Sequence, residues 1–387
     1  MERLCPDGVE FKKLGEVFEM RNGYTPSKAN KDFWTGGTVP WFRMDDIRIN
    51  GRILYDSIQH ITPQAVKGDR YFKKDTFILS TTATIGEHAL LKVDSLSNQR
   101  FTNLKVAKPF EERFDIKFLF YYMFIVDEFC KHNINVSGFA SVDMGKLKNF
   151  SIPVPPLEVQ QEIVRILDNY SATVAKLQAD LNEELELRKK QYEYYRDKLL
   201  SFNDIGGGTQ DVIWKKLSEI CDIKRGIRVV KRQLSDDDLY PVYQNSIVPL
   251  GYYSRHNTDA ETTFIICAGA AGRIGYSKVK FWAADDCFCI KPKDQLIDKY
   301  VYYYLMNNHL YFESRVRKAG IPRLSRSSIE PFIIPIPPLP EQQRIVSILD
   351  KYEASVTQLS AQLTAEIAAL NQQYEYYRDQ LLTFKQK

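Results

Sequence analysis

Apolar residues near the end of the chain recur at alternating spacings of three and four, which is the seam pattern of a coiled coil. This seam runs through Ile345, Leu349, Tyr352, Val356, Leu359, Leu363, Ile367, Leu370, Tyr374, Tyr377 and Leu381. An earlier stretch carries the same seam, at Ile163, Leu167, Tyr170, Val174, Leu177, Leu181, Leu185, Tyr192, Tyr195 and Leu199, with Arg188 as a polar interruption. The pattern predicts two long helices, at 157–202 and 339–384, whose apolar stripes pack on each other.

The two predicted helices belong to a sequence repeat. Residues 152–202 and 334–384 align without a gap, and 29 of the 51 positions are identical. Each copy opens with an apolar, proline-rich segment that favours extended backbone and therefore fixes where its helix begins. The chain accordingly divides into a domain, a helix, a linker, a second domain and a second helix, with predicted bounds 1–151, 152–202, 203–211, 212–331 and 332–387.

Short β-branched runs and a long apolar run predict a mixed α/β structure for the first unique region. Residues 76–80 and 101–106 have the composition of strands, and 116–130 is apolar all round, as expected of a buried helix. Short segments of the second unique region match the first: 214–217 with 11–14, 271–275 with 82–86, and 319–321 with 137–139. We therefore expect two domains that share one scaffold and differ in their loops.

Connectivity predicts the direction of the two helices. The first helix continues through the short linker 203–211 into the second domain, which must bring the chain back to the start of the second helix. In a parallel pair this return would span roughly 65 Å, because about 43 helical residues rise ~1.5 Å each. The expected fold is α+β (mixed), with two α/β domains separated by two long antiparallel coiled-coil helices and an approximate twofold axis.

Composition and cysteine usage narrow the class of protein. With 387 residues, 44% of them apolar and 26% charged, the chain is expected to be a soluble protein of more than one domain. No apolar run approaches the roughly 18 residues of a membrane span, and no signal peptide is apparent, so we expect a cytoplasmic protein. Cys287 and Cys289 alternate like one face of a strand rather than a zinc site, and no metal site is expected.

The charge differs between the unique and repeated regions. The net charge is +3 over 1–151 and +6 over 212–331, but −4 over 152–211 and −1 over 332–387. Basic unique regions indicate contact with a polyanion, and acidic repeats indicate contact with protein. Net charges of this size also occur by ordinary variation between segments. The prediction of contact with a polyanion therefore rests more on the side chains of the loops.

Several predicted loops combine Gly with Arg, Lys, Asn, Gln and aromatic residues, the side chains that bind phosphates and read base edges. The loops of the first region lie at 21–28, 41–48, 80–88 and 137–141, and those of the second at 224–228, 243–246, 254–257, around 273 and at 315–326. The candidate DNA contacts in the first region are Arg21, Asn22, Tyr24, Thr25, Lys28, Trp41, Arg43, Arg48, Thr81, Thr82, Ser137 and Phe139. Those in the second are Lys224, Arg225, Arg228, Tyr243, Gln244, Asn245, Arg255, Arg273, Arg317, Lys318 and Arg323.

The order of two different domains and two near-identical helical regions resembles the specificity subunit of a type I restriction-modification system. The resemblance rests on the repeated segments IP(V/I)PPL, QQ…IV.ILD and QYEYYRD..L, and it covers the whole chain. It implies two target recognition domains that each read half of a bipartite site in double-stranded DNA. It also implies a subunit without catalytic activity, which joins two adenine methyltransferase subunits and restriction subunits. S-adenosylmethionine, ATP and Mg would then bind the partner subunits rather than this chain.

The absence of catalytic motifs agrees with that implication. The sequence has no Gly-rich cofactor loop followed by an Asn/Asp-Pro-Pro-aromatic tetrapeptide, and no GxxxxGK[ST] phosphate loop. Residues 6–12 imitate a PD…ExK nuclease pattern, but one strand cannot place its carboxylates as two neighbouring strands do. His88 and His256 are expected to be hydrogen-bonded surface residues.

Two other functions fit parts of the sequence. The chain could be a protein-binding scaffold with a coiled-coil spacer, or the specificity subunit of a restriction system that does not translocate DNA. On the helices, Tyr194, Arg196, Tyr376 and Arg378 lie off the seam and are candidates for the methyltransferase contact, because aromatic residues and Arg dominate the centres of interfaces. The alternative role of these four residues is further helix–helix packing.

Overall fold

The computed structural model describes residues 5–68, 70–135, 139–202, 212–293 and 296–387. The chain forms two compact units. The first comprises Met1–Ala179 and Glu366–Lys387, and the second comprises Asp180–Ala365. The linker predicted at 203–211 and the candidate residue Ser137 lie outside the described residues.

The first unit contains short strands, short helices and one long buried helix. In chain order these are β1 Glu10–Lys13, α1 Leu14–Val17, β2 Phe18–Asn22, β3 Val39–Phe42, α2 Met44–Asn50, β4 Ile53–Leu54, β5 His60–Ile61, β6 Thr76–Ser80, β7 His88–Leu91, β8 Leu96–Ser97, β9 Phe101–Val106, α3 Ile116–His132, β10 Ile134–Asn135, β11 Ser141–Val142, α4 Met144–Asn149 and β12 Ser151–Val154. The long helix α5, Leu157–Leu200, begins in this unit.

The main sheet of the first unit has the strand order β2-β9-β6-β7-β4, and a smaller sheet has the order β5-β3-β8. The strands β6 and β7 of the main sheet are buried on both faces. Phe77 and Leu79 pack with the apolar side chains of α3, whereas Ile78 faces the core around Phe42. The predicted strands at 76–80 and 101–106 and the predicted buried helix are confirmed. Burial on both faces explains the uninterrupted apolar run Phe77–Leu79 in β6.

The second unit repeats this order with fewer insertions. Its elements are β13 Ile213–Lys216, α6 Leu217–Ile220, β14 Cys221–Arg225, β15 Tyr240–Tyr243, β16 Gly251–Tyr253, β17 Thr262–Ile266, β18 Ile274–Ser277, β19 Trp282–Ala283, β20 Cys287–Pro292, α7 Asp298–Asn307, α8 His309–Glu313, α9 Arg326–Ile329, β21 Ile333–Ile336 and the start of α10, Leu339–Leu381. Short 3₁₀ turns lie at Lys31–Phe33, Pro63–Ala65 and Lys108–Phe110 in the first unit and at Lys231–Gln233 in the second.

The sheets of the second unit have the orders β14-β20-β17-β18 and β16-β15-β19. These orders correspond strand by strand to β2-β9-β6-β7 and β5-β3-β8, including the parallel pairing of β3 with β8 and of β15 with β19. The predicted common scaffold is therefore confirmed. In β20, Cys287 and Cys289 face one buried cluster while Phe288 and Ile290 face another, which confirms the predicted strand.

The proline-rich segments before the long helices are strands. β12 pairs antiparallel with β1, so that Phe11 lies opposite Pro153, and β21 pairs with β13, so that Trp214 lies opposite Pro335. Each forms a two-stranded ribbon, where a proline without an N–H group is tolerated. The extended segments thus fix the point at which each helix begins, as expected.

Within each unit the long helices run antiparallel. In the first unit Tyr170 stacks on Tyr374 at 5.6 Å, and Gln178 donates to Asn371 at 3.3 Å, so rising numbers on α5 meet falling numbers on α10. In the second unit Tyr195 stacks on Tyr352 at 5.6 Å. The predicted seam is confirmed, and the helices end at Leu200 and Leu381, slightly before the predicted ends.

Among the described residues, no helix is long and apolar enough to cross a membrane.

A buried glutamine from the repeat attaches the first domain to α5. The Gln160 side chain is fully buried, and its amide donates to the carbonyls of Arg113 and Pro155, both at 2.8 Å. Its carbonyl accepts the N–H of Asp115 at 2.8 Å. The side chain therefore satisfies backbone groups at the start of α3 and at the start of α5 simultaneously.

Gln342 occupies the equivalent position in the second unit. It is fully buried, accepts the N–H of Ile297 at 2.9 Å at the start of α7, and donates to the carbonyl of Pro337 at 2.8 Å. The repeated QQ motif is thus explained by backbone hydrogen bonds inside each unit. A buried backbone group without such a partner is costly, which makes this glutamine a fixed part of the junction.

A repeated aspartate completes the junction in the first unit. Asp168 of α5 accepts the Tyr121 hydroxyl at 2.6 Å and the Lys117 ammonium at 2.6 Å, both from α3. Burial and the Asp168 carboxylate raise the pKa of Tyr121, because both disfavour the phenolate. The tyrosine therefore remains a hydrogen-bond donor.

Asp350 of α10 makes the same contacts in the second unit. It accepts the Tyr303 hydroxyl at 2.5 Å and pairs with Lys299 at 2.7 Å. Burial, Asp350 and the neighbouring Glu353 raise the pKa of Tyr303. The ILD motif thus holds the buried helix of each domain against a long helix.

The prediction that His88 is a surface residue is wrong. His88 is fully buried at the end of the turn between β6 and β7, and its Nδ1 lies 2.6 Å from Asp127 of α3. Arg52 also donates to Asp127 at 3.1 Å and to the His88 carbonyl at 3.0 Å. A carboxylate and a cation from distant segments therefore create a buried polar site that the local sequence does not reveal.

Replacing Gln160 by alanine is expected to destabilise the protein by about 2 kcal/mol, because it leaves buried backbone groups of two elements without partners. Urea unfolding of the full chain measures this difference. The matched control is Gln161→Ala, since Gln161 is the next residue and is exposed. Equal stability of the two variants would contradict a structural role of the buried amide.

Candidate nucleic-acid interface

A cleft of about 320 Å³ in the first unit collects predicted residues from separate loops. It lies between the segment that follows β2, the start of α2 and the turn before β9. Its walls contain Thr25, Lys28, Trp41, Arg43, Met44, Asp45, Arg48, Thr84, Asn98, Gln99 and Arg100. Thr25, Lys28, Trp41, Arg43 and Arg48 were all predicted from the sequence. Tertiary structure thus brings together candidates from two loops that are separate in the chain.

Asp46 explains the position of α2 beside the cleft. This buried carboxylate accepts the N–H of Arg43 and the N–H of Ile58, both at 2.6 Å. A carboxylate at the start of a helix satisfies a free N–H group and interacts favourably with the helix dipole. The loop predicted at 41–48 is therefore wrong, because these residues end β3 and begin α2. The helix places Arg48 on its exposed side.

The electrostatics of the cleft are dominated by cations. Lys28, Arg43, Arg48 and Arg100 line it together with a single acidic residue, Asp45. Arg43 approaches the Asp45 carboxylate at 4.0 Å, whereas Lys28 and Arg48 are exposed and make no ion pair within the described part of the chain. Such a cleft has the charge and the donor groups required to bind phosphate oxygens and base acceptors.

The turn between β8 and β9 contains cleft residues that were not predicted from the sequence. Asn98, Gln99 and Arg100 line the cleft, and the Asn98 side chain accepts the Arg100 N–H at 2.9 Å. Gln99 is the hydrogen-bond partner of the Thr25 hydroxyl. The cluster Asn-Gln-Arg directly before the strand at 101–106 is the sequence signal for this turn.

Two predicted residues of the first unit are buried and support the site instead of lining an exposed loop. Trp41 is 3% exposed, its ring packs edge-on against Trp34 at 4.9 Å, and its indole N–H donates to the Tyr24 carbonyl at 3.1 Å. Thr81 is 6% exposed and hydrogen-bonds with Thr102 at 3.0 Å. For Trp41 and Thr81 the expectation of exposed loop positions is wrong.

Three further candidates of the first unit make contacts within the chain. Arg21 donates to the carbonyls of Arg70 and Tyr71, each at 3.1 Å. Asn22 accepts the Thr102 hydroxyl at 3.0 Å. The Tyr24 hydroxyl lies 2.8 Å from the N–H of Lys67 and 3.3 Å from the carbonyl of Ala65. These contacts hold the segment after β2 in place beside the cleft.

Two further candidates of the first unit, Thr82 and Phe139, lie at or beside the hairpin β10–β11. Thr82 forms an isolated bridge with Ser141, and the N–H of Val142 donates to the Thr81 carbonyl at 2.9 Å. Phe139, near the end of the hairpin loop, is 98% exposed. The hairpin is thus attached to the loop that follows β6.

In the second unit the structure gathers three of the predicted loops. The N–H of Ala270 donates to the Asn245 carbonyl at 2.9 Å, and the N–H of Gly269 donates to the Pro322 carbonyl at 3.2 Å. Arg317 and Arg323 pair through both backbone hydrogen bonds, at 2.8 and 3.1 Å. Asn245, the turn at Arg273 and the loop at 315–326 therefore surround the end of β17.

The other candidates of the second unit are not gathered in this way. Tyr243 packs against Phe264 at 4.6 Å and Phe281 at 5.3 Å, and burial raises its pKa, so its ring belongs mainly to the core. Arg225 donates to the Asp285 carbonyl at 2.7 Å. Residues outside the core are Lys224, Arg228, Arg255 and Lys318, which are exposed, and Gln244, which is half-buried.

The four candidates for a protein contact on the helices differ in exposure. Tyr194 and Tyr376 are each 61% exposed. Arg196 donates to Asn307 at 2.7 Å, and Arg378 is buried against the ring of Phe124 at 4.5 Å from its centroid. Both arginines therefore hold a long helix against its domain, and the tyrosines remain accessible.

The nuclease-like residues form ion pairs rather than a metal site. Glu10 pairs with Lys12 at 2.7 Å and with Arg113 at 2.5 Å, and hydrogen bonds from these two side chains lower the pKa of its carboxyl to about 2. Within the described residues, no group of three or more His, Cys, Asp or Glu side chains is arranged to hold a metal ion.

Comparison with known proteins identifies related sequences and folds. The family model described as type I restriction modification DNA specificity domain matches residues 6–187 and 210–369. The type I restriction enzyme EcoprrI specificity subunit of Escherichia coli is 40% identical over 381 residues, covering 93% of this chain and 92% of that protein. The EcoR124I/EcoR124II specificity subunit of Escherichia coli is 29% identical over 427 aligned residues, covering 99% of this chain and 96% of that protein.

Solved structures show a similar fold. A chain from a study of complex assembly and conformational transition of the type I R-M system has a TM-score of 0.73 at 18% identity, over 97% of this chain and 98% of that chain. The HsdS subunit from Thermoanaerobacter tengcongensis has a TM-score of 0.60 at 18% identity, over 97% of both chains. At these identities the likeness concerns the fold alone.

Proposed function

The chain belongs to the family of type I restriction-modification DNA specificity subunits, and from this we propose that its two target recognition domains each read one half of a bipartite, asymmetric DNA site. It is a non-catalytic, DNA-recognising subunit. We assign the readers to residues 1–151 and 212–331, and the helices that set the spacing between half-sites to 152–202 and 332–387.

The basic cleft of the first unit is the observation that carries this proposal. Four cationic side chains and several amides converge there from segments that are distant in sequence. The second unit places a different set of residues, including Arg273, Arg317 and Arg323, on the loops of the same scaffold. Equal scaffolds with different loop side chains suit the recognition of two different half-sites.

The residues that line the cleft differ in exposure and in the kind of DNA contact that they suit. Lys28 and Arg48 are exposed and suit phosphate contacts, which add affinity without sequence information. Arg100, Asn98 and Gln99 follow a strand directly and can direct donors and acceptors at base edges. We assign sequence reading in this half to the turn between β8 and β9.

The partners follow from the family. We propose that two methyltransferase subunits dock on the two long helices and modify an adenine in each half-site, and that restriction subunits join through them. S-adenosylmethionine would bind the methyltransferase subunits, and ATP and Mg the restriction subunits. We propose a cytoplasmic location for the complex, because its proposed target is double-stranded DNA. The identical, exposed Tyr194 and Tyr376 are the proposed centres of the two docking surfaces.

DNA binding by the complex of this chain with its methyltransferase partner is expected to weaken steeply with salt. The logarithm of the binding constant falls linearly with the logarithm of the salt concentration. The double variant Lys28→Ala/Arg48→Ala should make this slope less steep by about 1.8, at about 0.9 for each lost phosphate contact. Fluorescence anisotropy with a duplex at several salt concentrations measures both slopes. The control with the same loss of charge is Lys176→Ala/Lys351→Ala on the helices. A response to salt that is flat in the unmodified complex would favour a protein-binding scaffold instead.

Loss of one exposed tyrosine is expected to remove one methyltransferase copy. Tyr194→Ala should weaken binding of that copy by about 2 kcal/mol, as for a central aromatic residue of an interface, and Tyr376→Ala should act in the same way on the other copy. Native mass spectrometry at limiting concentration reports the number of bound copies. Lys189→Ala is the control, because it lies five residues earlier on another face of α5. Full occupancy in both tyrosine variants would contradict these docking surfaces.

Insertion of seven residues into each long helix is expected to lengthen the unread spacer between half-sites. Seven residues preserve the seam and add ~10 Å of helix at ~1.5 Å per residue. Mapping of modified adenines across a host genome measures the spacer. An unchanged spacer in the modified sites would show that the helices do not set the distance.

A further inference from the structure

Each recognition domain carries a hairpin with the same loop length and an exposed apolar residue at the same place. In the first unit Asn135 pairs with Ser141, and in the second Arg317 pairs with Arg323. Five residues lie between the paired positions in both hairpins, VSGFA and KAGIP. The fourth loop residue is Phe139 in one and Ile321 in the other.

These two side chains are exposed although they are large and apolar. Phe139 is 98% exposed and Ile321 is 64% exposed. Single exposed apolar residues are common on protein surfaces, but the same exposure at one position of two diverged domains calls for a shared cause. Neither side chain contributes to the core of its domain, so folding does not account for them.

The hairpins are attached to the scaffold by the same backbone hydrogen bond. The N–H of Val142 donates to the Thr81 carbonyl and the N–H of Leu324 donates to the Cys267 carbonyl, both at 2.9 Å. Thr81 and Cys267 each follow the central strand that separates the two cores of their unit. Gly320, before Ile321, has a φ of +77°, which a glycine adopts readily. The return strands of both hairpins are therefore attached beside the proposed DNA-binding loops.

The charge near the hairpins favours a polyanion over an apolar protein surface. In the second unit Arg317, Lys318 and Arg323 are exposed on the hairpin that presents Ile321, and Arg315 is exposed just before it. In the first unit the N–H of Thr81, beside the hairpin, donates to the carbonyl of Arg100, a residue of the basic cleft. Cations would bind phosphates while an apolar tip reaches the stacked bases.

We propose that Phe139 and Ile321 insert as apolar wedges at a base step, one in each half-site. The proposal rests on DNA recognition by these domains as proposed above. An apolar side chain that enters a base step partly unstacks it and bends the duplex. Since a methyltransferase must take its target base out of the stack, unstacking a nearby step lowers the cost of that extrusion. The wedges would thus connect recognition with methylation.

The test uses the complex of the full chain with its methyltransferase subunits on a duplex that contains the mapped target site. Permanganate modification of thymines reports unstacked positions along the duplex. Phe139→Ala should remove the enhanced reactivity in one half-site and leave the other unchanged, and Ile321→Ala should do the reverse. Each variant should bind DNA about tenfold more weakly, with the same salt slope, because a stacking contact is lost but no phosphate contact is lost.

Two further variants separate a wedge from other roles of the tips. Phe139→Leu keeps an apolar side chain and should retain most of the unstacking. Leu310→Ala is the control for loss of an exposed apolar residue, because Leu310 is 68% exposed and lies on α8, away from the hairpin loop. Thymine reactivity that stays the same in Phe139→Ala and Ile321→Ala would overturn the proposal. So would weaker binding of methyltransferase subunits by these variants in the absence of DNA.

Failure of the proposed DNA-binding function would give a different result from failure of the wedge proposal alone. In that case the unmodified complex itself would bind duplex DNA without salt dependence. If the unmodified complex binds DNA with a steep slope and the alanine variants match it in both affinity and reactivity, the wedge alone is refuted.

Discussion

The structure of each unit depends on one buried junction between a recognition domain and a long helix. Gln160 or Gln342 satisfies backbone groups of two elements, and Asp168 or Asp350 binds a tyrosine and a lysine of the buried domain helix. Because buried polar groups are costly when they are unpaired, this arrangement permits little variation in the angle between domain and helix. A domain whose loops must meet DNA at a defined position requires such a fixed attachment.

The same junction explains why the repeat is conserved between the two halves of the chain while the domains differ. The repeated QQ and ILD motifs bind mostly backbone groups and a Lys–Tyr pair of the domain helix, so the rest of the domain can change without affecting them. On the shared scaffold, the side chains of the turn between β8 and β9 and most side chains of the hairpin before β12 differ from their counterparts in the second unit. Divergence of binding residues on a constant attachment is the property that a two-part DNA reader needs.

In the proposed reader, charge and apolar surface would have separate functions. The exposed cations of the cleft and of the second hairpin would bind the phosphate backbone, an interaction that depends on salt and not on sequence. Amide and guanidinium groups beside them would distinguish bases, and the apolar tips would act on base stacking rather than on base edges. Within the described residues no cluster of metal ligands accompanies these groups.

The sequence by itself determined the elements whose signal is periodic or repeated. Local patterns of apolar and proline residues predict the seam of the two helices, their starting points after the prolines, the buried strands and the common scaffold. Tertiary structure alone decided the site. Arg100 lies beside Lys28 and Arg48 because the segment after β2, the helix α2 and the turn between β8 and β9 meet at one cleft. Trp41 is buried because its ring packs in the core around Phe42. His88 was buried by Asp127 and Arg52, residues 39 and 36 positions away. Contacts over such distances depend on chain topology, which no local pattern encodes.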